Sequence, residues 1–541
     1  MNRNVTHRIH QAGTALAIGL AAALLATSAQ AADPGAPPPV SFLGETSSEN
    51  SSQVGLEEFF QDPILLGLIQ QSLVGNQELK ILAEEVQIAN NAVWARRGAY
   101  LPFVTVGAGA LTEKPSRFTR FGAVDNTLDI VPGTPFPNPL PDFLLATNIT
   151  WQVDIWRQLR NARDAATLRY LGTNEGRNYV VTRLIAEVAG SYYELMTLDY
   201  RLEILNQTIA LQERSLEVAE ANKEAGRGTE LAVQRFLAEV RRNQSELLIV
   251  KQQIIEVENR INFLAGRFPM RVERDSEHFL DMNMHALSVG LPAQLLLNRP
   301  DIRQAELELA AAGLDIKVAR ANFFPKLAIQ AGIGYEAFNM KYLFISPEAI
   351  LYNVAGELAA PLINKRAIQA EYMTANAVQL QSLYKYQRVV LNAFIEVVNR
   401  VSKAENYRRS IEIKREQLKA LEESVEVASS LFQNLRAEYI DVLFAQRDLR
   451  DARTVLVETK QQQMAAVVNT YQALGGGNVF GRGPLPPLPP IEGLGGAVPA
   501  PLMAPSPGPA PAPTRPGDEA AVPPLPPIPP ATDSPFAPPE R

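Results

Sequence analysis

Hydrophobic and polar positions along the chain follow two different periods. The proline-free stretch 142–268 has apolar residues three or four positions apart, as at Leu184 and Val188. This spacing is typical of one face of a helix. It predicts a long helix over about 157–224, spanning on the order of 100 Å, and a shorter helix over about 230–265.

The two predicted helices are separated by a turn, Ala225-Gly226-Arg227-Gly228-Thr229. Glycine is common where a helix ends, and a threonine hydroxyl can cap the next helix. A further helix is predicted over about 63–99. Its length suggests that it stacks end to end with the 230–265 helix, so that both lie along the long one.

Four shorter segments alternate between apolar and polar residues, at about 101–111, 144–156, 325–335 and 349–360. Their length and alternation are typical of transmembrane β-strands, although one such strand alone would favour a soluble, half-buried sheet. In the second segment, the residues predicted to face lipid are Ile149, Trp151, Val153 and Ile155. Because four strands cannot close a barrel and open edges are excluded from lipid, we expect several copies of the chain to share one barrel.

The chain repeats itself. Val180-Val181 recurs 209 positions later as Val389-Val390, and upstream Pro102 recurs as Pro325 at an offset of 223. Such duplication predicts two similar structural halves, over 57–285 and 286–480. Most of the difference in offset falls in the connection Thr112–Asp142, which is longer than its counterpart Glu336–Glu348.

The N-terminus has the features of a secretory signal peptide. Arg3 and Arg8 precede an apolar run, and Ala29-Gln30-Ala31 provides an A-x-A cleavage site. We therefore predict a signal peptide over 1–31, followed by an extended segment over 32–56. A membrane anchor is the alternative, but the apolar run is short for one.

Composition narrows the function further. The formal net charge is −7, and loss of Arg3 and Arg8 with the leader makes it more negative, which disfavours nucleic acid as a partner. The chain has no cysteine, so disulfides and thiolate metal sites are excluded. No later segment has the run of about 20 apolar residues that a spanning helix needs.

The sequence contains no H-E-x-x-H, Walker A or G-x-S-x-G motif. We therefore expect no enzyme activity, no catalytic residues, no cofactor and no metal. Two histidines remain after the leader, His278 and His285, and both are expected to be exposed in the linker between the halves. Paired glycines, Gly107 with Gly109 and Gly332 with Gly334, lie within predicted strands. There they are better explained by barrel curvature than by phosphate binding.

Three further segments carry a family resemblance. Gly290-Leu-Pro292 with Arg299-Pro-Asp-Ile-Arg303, the run Ala319 to Pro325, and Ala473-Leu-Gly-Gly476 resemble segments of TolC-like outer-membrane efflux proteins, in particular the multidrug-efflux branch. The resemblance covers about 57–477. It implies a mainly α protein with transmembrane β-strands, in which a homotrimer forms an α-helical barrel continuous with a twelve-stranded outer-membrane β-barrel. It further implies a periplasmic adaptor and an inner-membrane pump of the RND type as partners.

The resemblance also assigns roles to two turns and a gate. It implies adaptor docking at Gly226–Thr229 and at a second turn that includes Asn434, Leu435 and Arg436. It places the resting gate just after the second turn, at Asp441 and Phe444. Phe444 stands where the family has a second acidic residue, so an apolar gate is an alternative to an acidic ring, and helix capping by Asp441 is a third interpretation.

The resulting hypothesis is an outer-membrane channel with a large periplasmic part, which passively conducts small molecules. Two alternatives remain open: a duct for type I polypeptide secretion, and a periplasmic coiled-coil scaffold or adaptor with a soluble sheet. The final segment, 481–541, holds more than half of the chain's 40 prolines. It is predicted to be disordered, with polyproline-II character.

Overall fold

The computed structural model describes residues 49–477, except 126, 277, 283–287, 289, 291, 364 and 435. The predicted signal peptide over 1–31, most of segment 32–56 and the proline-rich segment 481–541 lie outside the described residues. The same is true of His285 and Leu435.

Within the described residues, the first half of the chain contains four main helices and two long strands. They are α1 (Pro63–Gly75), α2 (Gln77–Gly98), β1 (Phe103–Glu113), β2 (Leu140–Val153), α3 (Gln158–Glu224) and α4 (Glu230–Leu264). A short helix, Leu56–Phe60, precedes α1. The boundaries of α3 and α4 agree with the predicted ones to within a residue.

The second half repeats this order. It contains α5 (Pro300–Ala321), β3 (Lys326–Ala337), β4 (Ile350–Ala359), α6 (Arg366–Gln433) and α7 (Tyr439–Ala473). A short helix, Pro292–Asn298, precedes α5. Each half thus has a helical entry, two strands, a long helix and a helix of half that length, as the internal repeat predicts. Within the described residues, no helix is long and apolar enough to cross a bilayer.

The prediction of one continuous helix over 63–99 was wrong, because the chain breaks at Asn76. The Asn76 side chain accepts a hydrogen bond from the Leu79 N–H and donates one to the Leu264 carbonyl oxygen, 2.9 Å away. Gly75 lies so close to Ala265 that a β-carbon would come within 2.1 Å of its carbonyl oxygen. The break is thus where α1 and α2 meet the end of α4, so the contact expected from end-to-end stacking is present but falls in the middle of the predicted segment 63–99.

The connection predicted as a loop over 112–142 is more structured than expected. Strand β1 runs on to Glu113 and β2 already begins at Leu140. Between them lie a short helix, Arg120–Asp125, and a ribbon that pairs Asp129–Val131 with Thr134–Pro135.

The largest hydrophobic core surrounds the middle of α3. Tyr192, Tyr193, Leu195 and Met196 have no solvent exposure there. Side chains from α1, α4 and α7 complete this core. This core lies halfway along α3 and contains residues from both halves of the chain. The sheet and the helical turns lie at opposite ends of the same long helices.

The four long strands form one antiparallel sheet in the order β1-β2-β3-β4. Residues directly opposite each other share a face, and in the register Ile149 lies opposite both Val104 and Ala331. Within the described residues, the outer edges of β1 and β4 pair with no other strand.

Candidate functional site

The sheet has one apolar face, which the strand register defines. Its members include Val104, Val106, Ala108, Ala110, Phe143, Leu145, Thr147, Ile149, Trp151, Val153, Leu327, Ile329, Ala331, Ile333, Tyr335, Ala337, Ile350, Tyr352, Val354 and Leu358. Val354 is 78% exposed and Val106 is 73% exposed. Phe344 packs against Tyr335 at one end of the face, with ring centroids 5.7 Å apart, and a folded subunit presents much of the rest to its surroundings.

The opposite face is mostly polar. It carries Thr105, Asn148, Thr150, Gln152, Lys326, Gln330, Asn353 and Glu357. Its large apolar residues lie towards the strand ends, as at Phe103 and Leu351. A sheet with one lipid-compatible and one water-compatible face is what the wall of a transmembrane barrel requires.

Three of the four residues predicted to face lipid belong to the apolar face. These are Ile149, Trp151 and Val153, and the Trp151 indole donates a hydrogen bond to the Tyr100 carbonyl oxygen, 3.0 Å away. Ile155 lies beyond the last residue of β2, in the turn that leads into α3. The turn forms because the Asp154 carboxylate accepts hydrogen bonds from the first backbone N–H groups of α3.

The first helical turn lies at the other end of α3. Gly226 has a φ of +72°, which favours glycine, and the N–H groups of Arg227 and Gly228 both donate to the Asn222 carbonyl oxygen. Thr229 caps α4 by accepting the Ala232 N–H, as predicted. A Lys223–Glu230 ion pair spans the turn, and its hydrogen bond lowers the pKa of Glu230.

The second turn joins α6 to α7. It has no glycine, and the Asn434 side chain closes the end of α6 by donating to the Ser430 carbonyl oxygen. Arg436 follows, with its N–H donated to the Leu431 carbonyl oxygen. Glu438 and Asp441 form a reciprocal capping box at the start of α7.

The two predicted gate residues therefore differ in their surroundings. The Asp441 carboxylate accepts the Glu438 N–H at 3.2 Å, so that part of its hydrogen-bonding capacity serves the cap. Phe444 lies one turn further along α7 and is 55% exposed. Between them in sequence, Val442 is buried against Phe236 and Val233 of α4.

The structure brings the two turns together. A small core joins them, built from Ala219, Val233 and Phe236 of the α3–α4 hairpin and Val442 of the α6–α7 hairpin. The rings of Phe236 and Phe432 lie 6.1 Å apart. Both predicted docking turns thus belong to one tip, at the end of the molecule farthest from the sheet.

Between this tip and the main core, polar side chains join α7 to α3 and α4, and the sequence analysis did not identify them. Gln446 donates to the Ser215 hydroxyl at 2.9 Å. Arg450 donates to the Asn243 side chain at 2.9 Å, and Asn243 in turn donates to Gln212 at 2.7 Å. Gln212, Asn243 and Gln446 are all buried. These side chains, together called the polar row, fix the position of α7 against the α3–α4 hairpin.

Arg299 is another residue whose structural role the sequence analysis did not predict; there it was only part of the segment that resembles the family. Its guanidinium group, 3% exposed, pairs with Asp301 and Glu396 at 2.8 Å and donates to the Ala473 carbonyl oxygen. Burial lowers the Arg299 pKa, but these two carboxylates outweigh that effect and raise it. Arg299 thereby ties the start of α5 to α6 and to the end of α7.

The linker between the halves is fixed to the helices in a similar way. Arg274 bridges Asp199 of α3 and Glu258 of α4. Lys460 of α7 is buried and donates to the Met282 carbonyl oxygen at 2.6 Å, and burial lowers its pKa. His278 is exposed, as predicted.

A four-stranded sheet with one uncovered apolar face, continued by helices much longer than a globular core needs, defines a subunit of an outer-membrane channel. The chain belongs to the outer membrane efflux protein family, whose model matches residues 68–267 and 291–476. The predicted fold class and outer-membrane location are thereby confirmed.

Two relatives and one solved structure illustrate the relationship. The chain is 26% identical over 435 residues to the cation efflux system protein CusC of Escherichia coli O6:H1, a match covering 80% of this chain and 90% of CusC. It is 28% identical over 426 residues to the toluene efflux pump outer membrane protein TtgI of Pseudomonas putida, with 78% and 87% covered. The open-state MtrE channel of Neisseria gonorrhoeae superposes with a TM-score of 0.73 at 21% identity, over 83% of this chain and 97% of MtrE.

Proposed function

We propose that three copies of this chain form an outer-membrane channel of a tripartite efflux system, which conducts small molecules passively from periplasm to exterior. The observation that carries the proposal is a pair of strand edges, on β1 and β4, that have no partner strand within the described residues and border a mostly apolar face. Unpaired strand edges are not tolerated in lipid, so the edges must meet those of other copies. Three copies supply a twelve-stranded barrel.

Exposed apolar side chains on the helices support the same assembly. Whereas α3 has a large buried face, α6 leaves Met373 69% exposed and Leu391 62% exposed. On α2, Ile88 and Trp94 are 66% exposed. Neighbouring copies that continue the helical wall would cover these positions and extend the barrel into a periplasmic tunnel.

The tip formed by the two turns is the proposed docking surface for a periplasmic adaptor protein, which links the channel to an inner-membrane pump of the RND type. Gly226, Arg227, Gly228 and Thr229 form its first part, and Asn434 and Arg436 belong to its second. The relatives are named for cation and toluene efflux, which favours small solutes over polypeptides as cargo.

Phe444 is the proposed main element of the resting gate. In a trimer, three exposed phenylalanines at the tip would narrow the tunnel with apolar surface, and such constrictions can close by dewetting. Asp441 is the proposed secondary element. Its three carboxylates would attract cations while they also cap the helices.

Ion conductance of the purified protein in a planar bilayer tests the channel and the gate together. We expect a small wild-type conductance that rises in Phe444→Ala, because the apolar constriction is removed. Asp441→Asn keeps an acceptor for the helix cap but removes the charge, so it should reduce cation selectivity. The matched control is Phe268→Ala, at a 92% exposed phenylalanine outside the tip, which should behave like wild type.

The outcomes separate the two parts of the proposal. Failure of the wild type to insert into any bilayer, with a monodisperse water-soluble protein, would reject the channel and favour the periplasmic scaffold. Pores whose conductance is the same in wild type and Phe444→Ala would retain the channel and reject the gate at Phe444.

A further inference from the structure

The connection after β1 lies at the end of the sheet opposite the helices. Because the helices occupy the periplasm, this end reaches the outer leaflet of the outer membrane. Residues 114–124, called the rim segment here, leave β1 after Glu113 and include most of the short helix Arg120–Asp125. The apolar face of β1 runs up to Ala110, only a few residues before the segment begins.

Cationic and apolar residues in the rim segment are interleaved at intervals of three. The cations are Lys114, Arg117 and Arg120, and the apolar residues are Phe118, Phe121 and Val124. All six are exposed: Phe118 completely, Phe121 to 76% and Val124 to 45%. Scattered apolar residues are common on protein surfaces, but two exposed phenylalanines three positions apart, each directly after an arginine, are not.

The rim segment is held in a defined conformation. The Thr119 N–H and hydroxyl both donate to the Ser116 carbonyl oxygen, at 2.9 and 2.7 Å. The Thr119 hydroxyl also accepts the Gly122 N–H, and a β-carbon at Gly122 would come within 2.3 Å of the Ser116 oxygen. The exposure of Phe118 is therefore set by a folded turn rather than by a lack of local structure.

This combination suits a membrane interface. Aromatic side chains are enriched where lipid meets water, and basic residues beside them are attracted to anionic headgroups. Arginine in particular can form paired hydrogen bonds to a phosphate. Acidic neighbours such as Glu113 and Asp125 flank the segment but do not interrupt the three cations.

We propose that the rim segment binds the phosphorylated glycolipid of the outer leaflet, lipid A. Lys114, Arg117 and Arg120 contact its phosphates, and Phe118 and Phe121 enter the adjoining acyl region. Each subunit carries one such site, so the lipid anchors the rim of the channel at three points. The site acts in anchoring and leaves conduction through the channel unchanged.

Binding of lipid A to the full-length assembled protein tests the proposal, with enzymatically dephosphorylated lipid A as the second probe. The triple variant Lys114→Gln, Arg117→Gln, Arg120→Gln should weaken lipid A binding on the order of 100-fold, since each interfacial cation contributes about fivefold. Dephosphorylated lipid A should bind wild type as weakly as lipid A binds the triple variant. The matched control, Lys80→Gln, Lys251→Gln, Lys419→Gln, removes three exposed helix cations and should bind like wild type.

Three results would overturn the proposal. Equal loss of binding in both triple variants would show general charge attraction, and equal affinity for both lipids would show that the phosphates are not recognised. Protection of Phe118→Cys from a water-soluble maleimide in the lipid-free assembly would show that a neighbouring subunit covers the segment. Bilayer conductance of the same variants should match wild type, so loss of lipid binding is distinguishable from loss of the channel.

Discussion

At the scale of single residues, the strand glycines show that similar sequence positions can have different physical requirements. A β-carbon at Gly334 would come within 2.4 Å of the Leu145 carbonyl oxygen and 2.7 Å of the Ala146 β-carbon. A β-carbon at Gly107 would meet nothing within 4 Å. Barrel curvature was the prediction for both. Close approach of β2 and β3 requires glycine at Gly334, and no comparable contact does so at Gly107.

We therefore expect Gly334→Ala to disrupt the sheet and Gly107→Ala to be tolerated. The clash at Gly334 involves backbone and a β-carbon, which cannot move aside as a flexible side chain could, so a cost of about 1–3 kcal/mol is expected. The measurement is the yield and melting temperature of the assembled protein in detergent. Equal melting temperatures for the two variants would contradict the steric argument.

At the scale of elements, the sequence correctly predicted features that depend on neighbouring residues alone. Thr229 caps α4 through its own hydroxyl, and strict alternation placed Ile149 and Trp151 on the same, apolar face of the sheet. The break at Asn76 could not be predicted in this way. It depends on Leu264 and Ala265, which are nearly 190 positions away in sequence and meet Asn76 and Gly75 only after α4 has folded back along α3.

The polar row along α7 leads to a prediction at this scale. Gln446 and Arg450 hold α7 against Ser215 and Asn243. Removing buried hydrogen bonds of this kind weakens the contact by about 1–3 kcal/mol each. Gln446→Ala combined with Arg450→Ala should therefore let the α6–α7 hairpin separate more easily from α3–α4.

The expected result is a higher resting conductance in a planar bilayer, with frequent open events. The control is Arg408→Ala, which removes ion pairs that lie within α6 alone, with Glu405 and Glu412. An unchanged conductance in the double variant would mean that these contacts do not limit opening.

At the scale of the whole molecule, the number of subunits shows where sequence reasoning ends. Alternation predicted four strands, and the exclusion of open edges from lipid predicted partner copies. Neither argument could decide among two, three or four copies, because an unpaired edge on β1 or β4 requires a partner without fixing the angle between subunits. The proposed trimer rests on the family resemblance alone.

The two faces of the sheet permit a decisive test of the membrane orientation. Val354 and Asn353 are neighbours near the middle of β4, on the apolar and polar faces respectively. A lysine on the lipid side of a barrel costs about 2–4 kcal/mol near the bilayer centre, whereas a lysine in the lumen is solvated. Val354→Lys should therefore reduce the amount of assembled protein in the outer membrane.

Asn353→Lys should assemble normally and shift the ion selectivity of the pore towards anions, because it adds one positive charge per subunit to the channel lining. The measurements are the membrane fraction of each variant and its reversal potential in a salt gradient. A soluble scaffold would behave differently, since neither variant would then appear in the membrane fraction or conduct ions. If Val354→Lys assembled normally and Asn353→Lys were missing from the membrane fraction, the polar face would be the one turned towards lipid. The proposed orientation of the sheet in the membrane would then be wrong.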